Sequence, residues 1–172
     1  FRDAGRMSQL YHELTHLWNA PDLDQPSARW NEGLATFLSL RMSTELDGWN
    51  GMERDVERTA TGLVEAGRGR TTLAQVPFLR YGEANATGLS YRVGYLMFYA
   101  LHRAMGEAAF DAALGDYYRR HIQTGGTFED LMDLLRSASP VGLDQFFQTW
   151  VYTTDWFHQL AAGEKVEDIG LR

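Results

Sequence analysis

The sequence predicts an all-α fold from three observations. Apolar residues recur at three- and four-residue spacing through most of the chain, no pair of segments reads as paired strands, and no fixed-period repeat appears. A length of 172 residues, 44% of them apolar and 13% aromatic, fits one domain with a substantial core and excludes general disorder.

The elements follow in chain order. Over residues 3–19, Met7, Leu10, Tyr11, Leu14, Leu17 and Trp18 mark one buried face of a first helix, which Pro21 closes. "APDLDQPSA" reads as a loop, with Ser27 or Asp24 as the cap of a second helix carrying Trp30, Leu34, Phe37, Leu38 and Leu40 as far as Asp47, and Gly48 marks its end. A third helix is expected over 52–64, followed by the Gly- and Arg-rich "EAGRGRTT", which reads as a mobile flap or linker. Helical spacing returns in "GLSYRVGYLMFYALHRAMG", in "EAAFDAALGDYYRRHI", in "TFEDLMDLLRSA" with Thr127 as its cap, and in "LDQFFQTWVY". The resulting organisation is a helical domain over 1–162 and a polar, frayed tail over 163–172.

Composition removes several function classes. A formal charge of -7 with no cluster of Lys and Arg argues against a nucleic-acid surface, and "YYRRH" reads as a solvated basic edge. No run approaches the length of apolar sequence that a membrane span needs, and no signal segment opens the chain. With no cysteine, disulfides and thiolate metal sites are excluded, so any metal must be held by His, Asp or Glu; the compartment stays open. The first residue is Phe1, and the chain is expected to be part of a longer polypeptide, with some of its site contributed by an upstream segment or domain.

Against that background "LYHELTHLWN" stands out. Each helical residue turns the direction by about 100°, so His12 and His16 stand about 40° apart and one turn up, where two imidazoles can converge on one ion. H-E-x-x-H suits hydrolysis because two neutral imidazoles bind zinc while the adjacent glutamate, Glu13, takes a proton from water on the metal. In a chain of this composition the pattern arises by chance about once in a hundred. A catalytic zinc usually has a third protein ligand. The best candidate is Glu32 in "RWNEGLATF", about five residues into the second helix, where an antiparallel helical hairpin would bring it level with His16, about three residues before the end of the first. His102 and His121 lie in amphipathic helices without ligand spacing and read as surface or satisfied histidines; His158 is left as a residue that could line a cleft.

These residues resemble the gluzincin metallopeptidases of the aminopeptidase N and leukotriene hydrolase type. "HELTHLW" is similar to that family's first zinc helix and "WNEGLATF" to its second, in which the glutamate of N-E-G is the third ligand. "YRVGYLMFYALHRAMGEAAFDAALGDYYRRHIQTGGTFEDLMDLL" is similar to the stretch with tyrosine, two residues, glycine, an apolar helix and then "GE", and "FFQTWVY" to the closing Trp-containing helix; the likeness runs from about Met7 to Trp156. The resemblance implies the helical catalytic subdomain of a thermolysin-like metallopeptidase without its upstream sheet. It further implies one zinc per chain on His12, His16 and Glu32, Glu13 as general base, and Tyr91 as the catalytic tyrosine donating to the oxyanion, with Tyr95 in reserve. The reaction implied is hydrolysis of a peptide or protein substrate, with removal of an N-terminal residue as the expected form.

Three departures from that pattern are visible. The gap between His16 and Glu32 is shorter by about one helical turn. "LWN" just after the histidines is also seen in the glycyl aminopeptidase type, the second choice of branch. The G-x-M-E-N segment that holds a substrate amine is absent, and "GMERD" at 51–55 has the wrong spacing and lies on the wrong side of the motif. Two other readings use the same residues: a gluzincin-like helical interaction module that does not hydrolyse, with or without structural zinc, and a helical domain in which the histidine pair is accidental.

Overall fold

The computed structural model describes residues 4–67 and 71–171. Among the described residues nine α-helices follow one another: α1 (Ala4–His16), α2 (Trp30–Asp47), α3 (Met52–Gly67), α4 (Thr71–Gln75), α5 (Ser90–Met105), α6 (Glu107–His121), α7 (Phe128–Ala138), α8 (Asp144–Phe147) and α9 (Asp155–Ala161). Short 3-10 turns precede α5 at Phe78–Arg80 and Thr87–Leu89, α8 runs on into a π-turn at Gln148–Tyr152, and another 3-10 turn follows α9 at Val166–Asp168. Among the described residues there is no strand, only an isolated bridge between Asp22 and Gly126. The all-α expectation holds.

The fold is built around α5. Every residue from Val93 to Leu101 is buried, as expected of a helix covered all round. α2 lies against it and is itself sandwiched: Leu34 and Phe37 enter the core, while Glu32, Ser39 and Ser43 are polar yet also buried. The two helices meet at Gly33 and Gly94. A Cβ on Gly33 would come within 2.5 Å of Gly94 Cα, and one on Gly94 within 2.9 Å of Gly33 Cα, so only glycines allow this backbone-to-backbone approach.

Several local expectations change in tertiary context. Neither Ser27 nor Asp24 caps α2. Its N-cap is Arg29, in the left-handed region at φ 56°, ψ 44°, with no side-chain cap. Ser27 Oγ instead accepts from Arg29 N–H at 2.7 Å, and Asp24 Oδ2 accepts from Phe128 N–H at 2.9 Å, serving the first turn of α7. The Thr127 cap is present as a full capping box, with Asp130 N–H bonded to Thr127 Oγ1 and Thr127 N–H to Asp130 Oδ2. Gly48 ends α2 at φ 68° as expected. The "EAGRGRTT" segment is helical at both ends, in α3 to Gly67 and in α4 from Thr71; its centre, 68–70, lies outside the described residues. The tail after 163, expected to fray, packs: Val166 and Ile169 are buried, and Trp150 Nε1 donates to the Ile169 carbonyl at 3.2 Å. Val166 lies beside Val56, Ala60 and Tyr99 of α3 and α5, and this burial of apolar side chains outweighs the polar composition around them.

Alanine at Gly33 is expected to lower stability by about 1–3 kcal/mol through forced separation of α2 and α5. Gly62, in α3 with open space where a Cβ would stand, is expected to gain about 0.5–1 kcal/mol from the same change. Urea denaturation of the two variants reads both signs.

Candidate metal centre

His12 and His16 occupy the last two turns of α1, and Glu32 is the third residue of α2. α1 and α2 pack against one another, which brings the three together. One residue before His12, Tyr11 Oη donates to Asp47 Oδ1 at 3.3 Å at the far end of α2. The two helices are joined by the connection over 17–29. It is held in place where Leu23 N–H donates to the Gly126 carbonyl and Gly126 N–H to the Pro21 carbonyl.

The three side chains converge closely. His12 Nε2 lies 3.2 Å and His16 Nε2 3.3 Å from Glu32 Oε2, and the two imidazole nitrogens are 3.2 Å from one another. Hydrogen bonding cannot satisfy this triangle. Each bond needs one donor and one acceptor, the carboxylate only accepts, and a neutral Nε2 either donates or accepts. If both rings donate to Glu32, the His12–His16 edge is donor against donor; if one accepts, its edge with Glu32 is acceptor against acceptor. A cation at the centre satisfies all three lone pairs together. Zinc bonds of about 2.0–2.1 Å in tetrahedral geometry space their ligand atoms about 3.3–3.4 Å apart, which matches the observed edges. The donor set therefore fits a divalent ion of zinc's size, and among the described residues it is the one group of three or more metal-ligating side chains found together.

The surroundings are polar and open. A cleft of about 660 Å³ holds the three residues and is lined also by Ser8, Gln9, Glu13, Arg29, Thr36, Ser39 and Tyr91. Glu13 is exposed to it, and its charge acts on the Tyr91 hydroxyl. Tyr91, the second residue of α5, stacks on the His12 ring at 5.9 Å between centroids and 17° between planes. The Gly33–Gly94 contact puts it there, because Gly94 lies one turn after Tyr91 and Gly33 directly after Glu32. Ser90 Oγ adds a bond to the Ala28 carbonyl just before α2. Burial pushes the Tyr91 hydroxyl above its ordinary value, and the neighbouring Glu32 carboxylate adds to the rise. For Glu32 itself burial also acts upward, but the Arg29 guanidinium, His16, Tyr91 and His12 together outweigh it and hold the carboxyl below its usual range.

Tyr95 is not in the cleft. It is buried in α5 with its hydroxyl 3.6 Å from Met52 Sδ. His102 packs between Phe37 and Phe110, His121 Nδ1 lies 2.9 Å from the Gly125 carbonyl, and His158 stands beside Phe157, all away from the triad. Arg119 and Arg120 both pair with Asp116.

The pattern of the Peptidase family M1 domain matches residues 5–150 of this chain. This chain belongs to peptidase family M1. Peptidases of the family are in general zinc-dependent, and the match spans α1, α2 and Tyr91 alike. Similar proteins include Aminopeptidase M1-B of Oryza sativa subsp. japonica, 26% identical over 145 residues that cover 81% of this chain and 17% of the relative. Aminopeptidase M1 of Arabidopsis thaliana is 25% identical with 81% and 16% covered, and Aminopeptidase 2, mitochondrial, of Saccharomyces cerevisiae is 26% identical with 82% and 16% covered. The chain thus spans about a sixth of the length of these relatives. No solved structure matches it.

Two residues at the centre escape sequence reasoning. Arg29 forms an ion pair with Glu32 Oε1, and Asn19 Nδ2 lies 3.4 Å from His16 Nδ1. Each sits three residues from a ligand, the spacing at which helical neighbours meet, which is the only signal the sequence offers.

Proposed function

We propose that this chain carries the zinc-binding and catalytic helices of an aminopeptidase, with His12, His16 and Glu32 as metal ligands. The observation that carries this reading is the closed triangle of donor atoms with edges of 3.2, 3.2 and 3.3 Å, set in a cleft that also holds Glu13 and Tyr91. Zinc held there would supply a Lewis acid that polarises a scissile carbonyl and makes water acidic enough to act near neutral pH.

The chain's own residues supply the rest. Glu13, next to His12 and exposed to the cleft, accepts the proton of the attacking water and returns it to the leaving amine. The Tyr91 hydroxyl, kept protonated by burial and by the charge of Glu32, donates to the carbonyl oxygen as that oxygen gains negative charge. The stacking of Tyr91 on His12 fixes where the donor stands relative to the ligands, so little reorganisation is needed when charge develops. Removal of an N-terminal residue is favoured over internal cleavage by the aminopeptidase names of the relatives.

Two experiments test the reading. Elemental mass spectrometry is expected to find one zinc per chain and none in the His12→Ala, His16→Ala double variant; metal-free protein that stays metal-free when zinc is supplied would remove the proposal. With aminoacyl amide substrates, Glu13→Gln is expected to keep its zinc and lose about 10²–10⁴-fold in kcat. Tyr91→Phe is expected to lose about 10²–10³-fold with KM nearly unchanged. Full turnover in Glu13→Gln would point instead to a different base.

A further inference from the structure

Arg29 violates three local preferences at one position. It stands in the left-handed region at φ 56°, where glycine or asparagine is favoured over a long side chain. It is the N-cap of α2 yet offers no capping oxygen, although Ser27 lies two residues away. It also places a cation at the positive end of the helix dipole. Local rules broken together at one position point to a role beyond the start of the helix.

The backbone around it is held to make that conformation persist. Arg29 N–H donates to Ser27 Oγ at 2.7 Å, Ser27 Oγ donates to Asp22 Oδ2, and the preceding Ala28 carbonyl accepts from Ser90 Oγ in α5. The result is one contact: the half-exposed Arg29 guanidinium sits on Glu32 Oε1 while Oε2 faces both histidines. The two oxygens of a carboxylate that is otherwise buried are thereby divided, one to Arg29 and one to the histidine pair, with the Tyr91 hydroxyl also close to the group.

We infer that Arg29 is a positioning residue for the metal centre: its ion pair to Glu32 Oε1 holds the carboxylate so that Oε2 alone completes the ligand triangle. This rests on the zinc reading above. A charge-assisted bond to one oxygen keeps the carboxylate from swinging both oxygens onto an ion, which preserves one-oxygen ligation and leaves coordination space for water and substrate. Residues that hold a ligand in this way are commonly worth about 10–100-fold in metal affinity.

The test sets metal affinity against fold stability. Arg29→Gly relieves the strained left-handed conformation and the misplaced cation but takes a partner from the buried Glu32 carboxylate, so the metal-free protein is expected to stay folded with a single cooperative thermal transition. Zinc affinity, measured by competition with a chromophoric chelator, is expected to fall by about 10–100-fold in the same variant. Arg29→Lys, which keeps the charge but not the planar fork, is expected to recover part of that loss. With cobalt in place of zinc, visible bands that weaken in Arg29→Gly would report added coordination as Glu32 turns to bind through both oxygens. Zinc affinity within about twofold of the parent in both variants overturns the inference, as does a change confined to KM for substrates bearing a carboxylate, which would assign Arg29 to substrate. A parent chain that binds no zinc overturns the zinc reading along with it; a parent that binds zinc while both variants bind equally well overturns this inference alone.

Discussion

The contact between Gly33 and Gly94 is the constraint on which the rest of the structure depends. It brings α2 and α5 together at backbone distance, closer than any pair of helices separated by side chains. Glu32 is the neighbour of one glycine, and Tyr91 stands one turn before the other. The two buried helices therefore act as a rigid base that delivers a carboxylate and a phenol to the same cleft. Widening that contact by one methyl group would move both relative to the histidines of α1.

α1 is attached differently. It packs on α2, where Glu32, Ser39 and Ser43 are buried without belonging to the apolar core. Such burial is costly unless each polar group has a partner. The serine hydroxyls return to the helix backbone, Ser39 to the Thr36 carbonyl and Ser43 to the Ser39 carbonyl, and Glu32 is left facing Arg29 and the two histidines. A concentration of polar groups between two helices, with one triangle that hydrogen bonds cannot close, is what a binding centre looks like before its ion is considered.

The connection between α1 and α2 carries more of the architecture than its loop-like composition indicates. Asp24 reaches α7, Asp22 and Ser27 hold the backbone beside Arg29, and the Asp22–Gly126 bridge ties the segment to the turn between α6 and α7. This web holds the shortened connection between His16 and Glu32 in place. Trp30 then opens α2 directly in the core, stacked at 5.3 Å on Phe128. The charged residues of the connection thus serve interactions distant in sequence, which is why local capping rules misplaced them.

The sequence by itself determined the helical class, the positions of nearly all the long helices, the capping box at Thr127 and the group of residues that meet in the cleft, because each follows from periodicity or from spacing within a single turn. It also singled out Tyr91 from the other tyrosines of α5, through the resemblance carried by the glycine three residues later. Only the tertiary structure decided the left-handed Arg29 on Glu32, the diversion of Asp24 and Ser27 from α2, and the burial of Val166 and Ile169 in a tail of polar composition. Those outcomes depend on which surfaces compete for the same partner across long stretches of chain, and a preference measured within one turn holds no information about that competition.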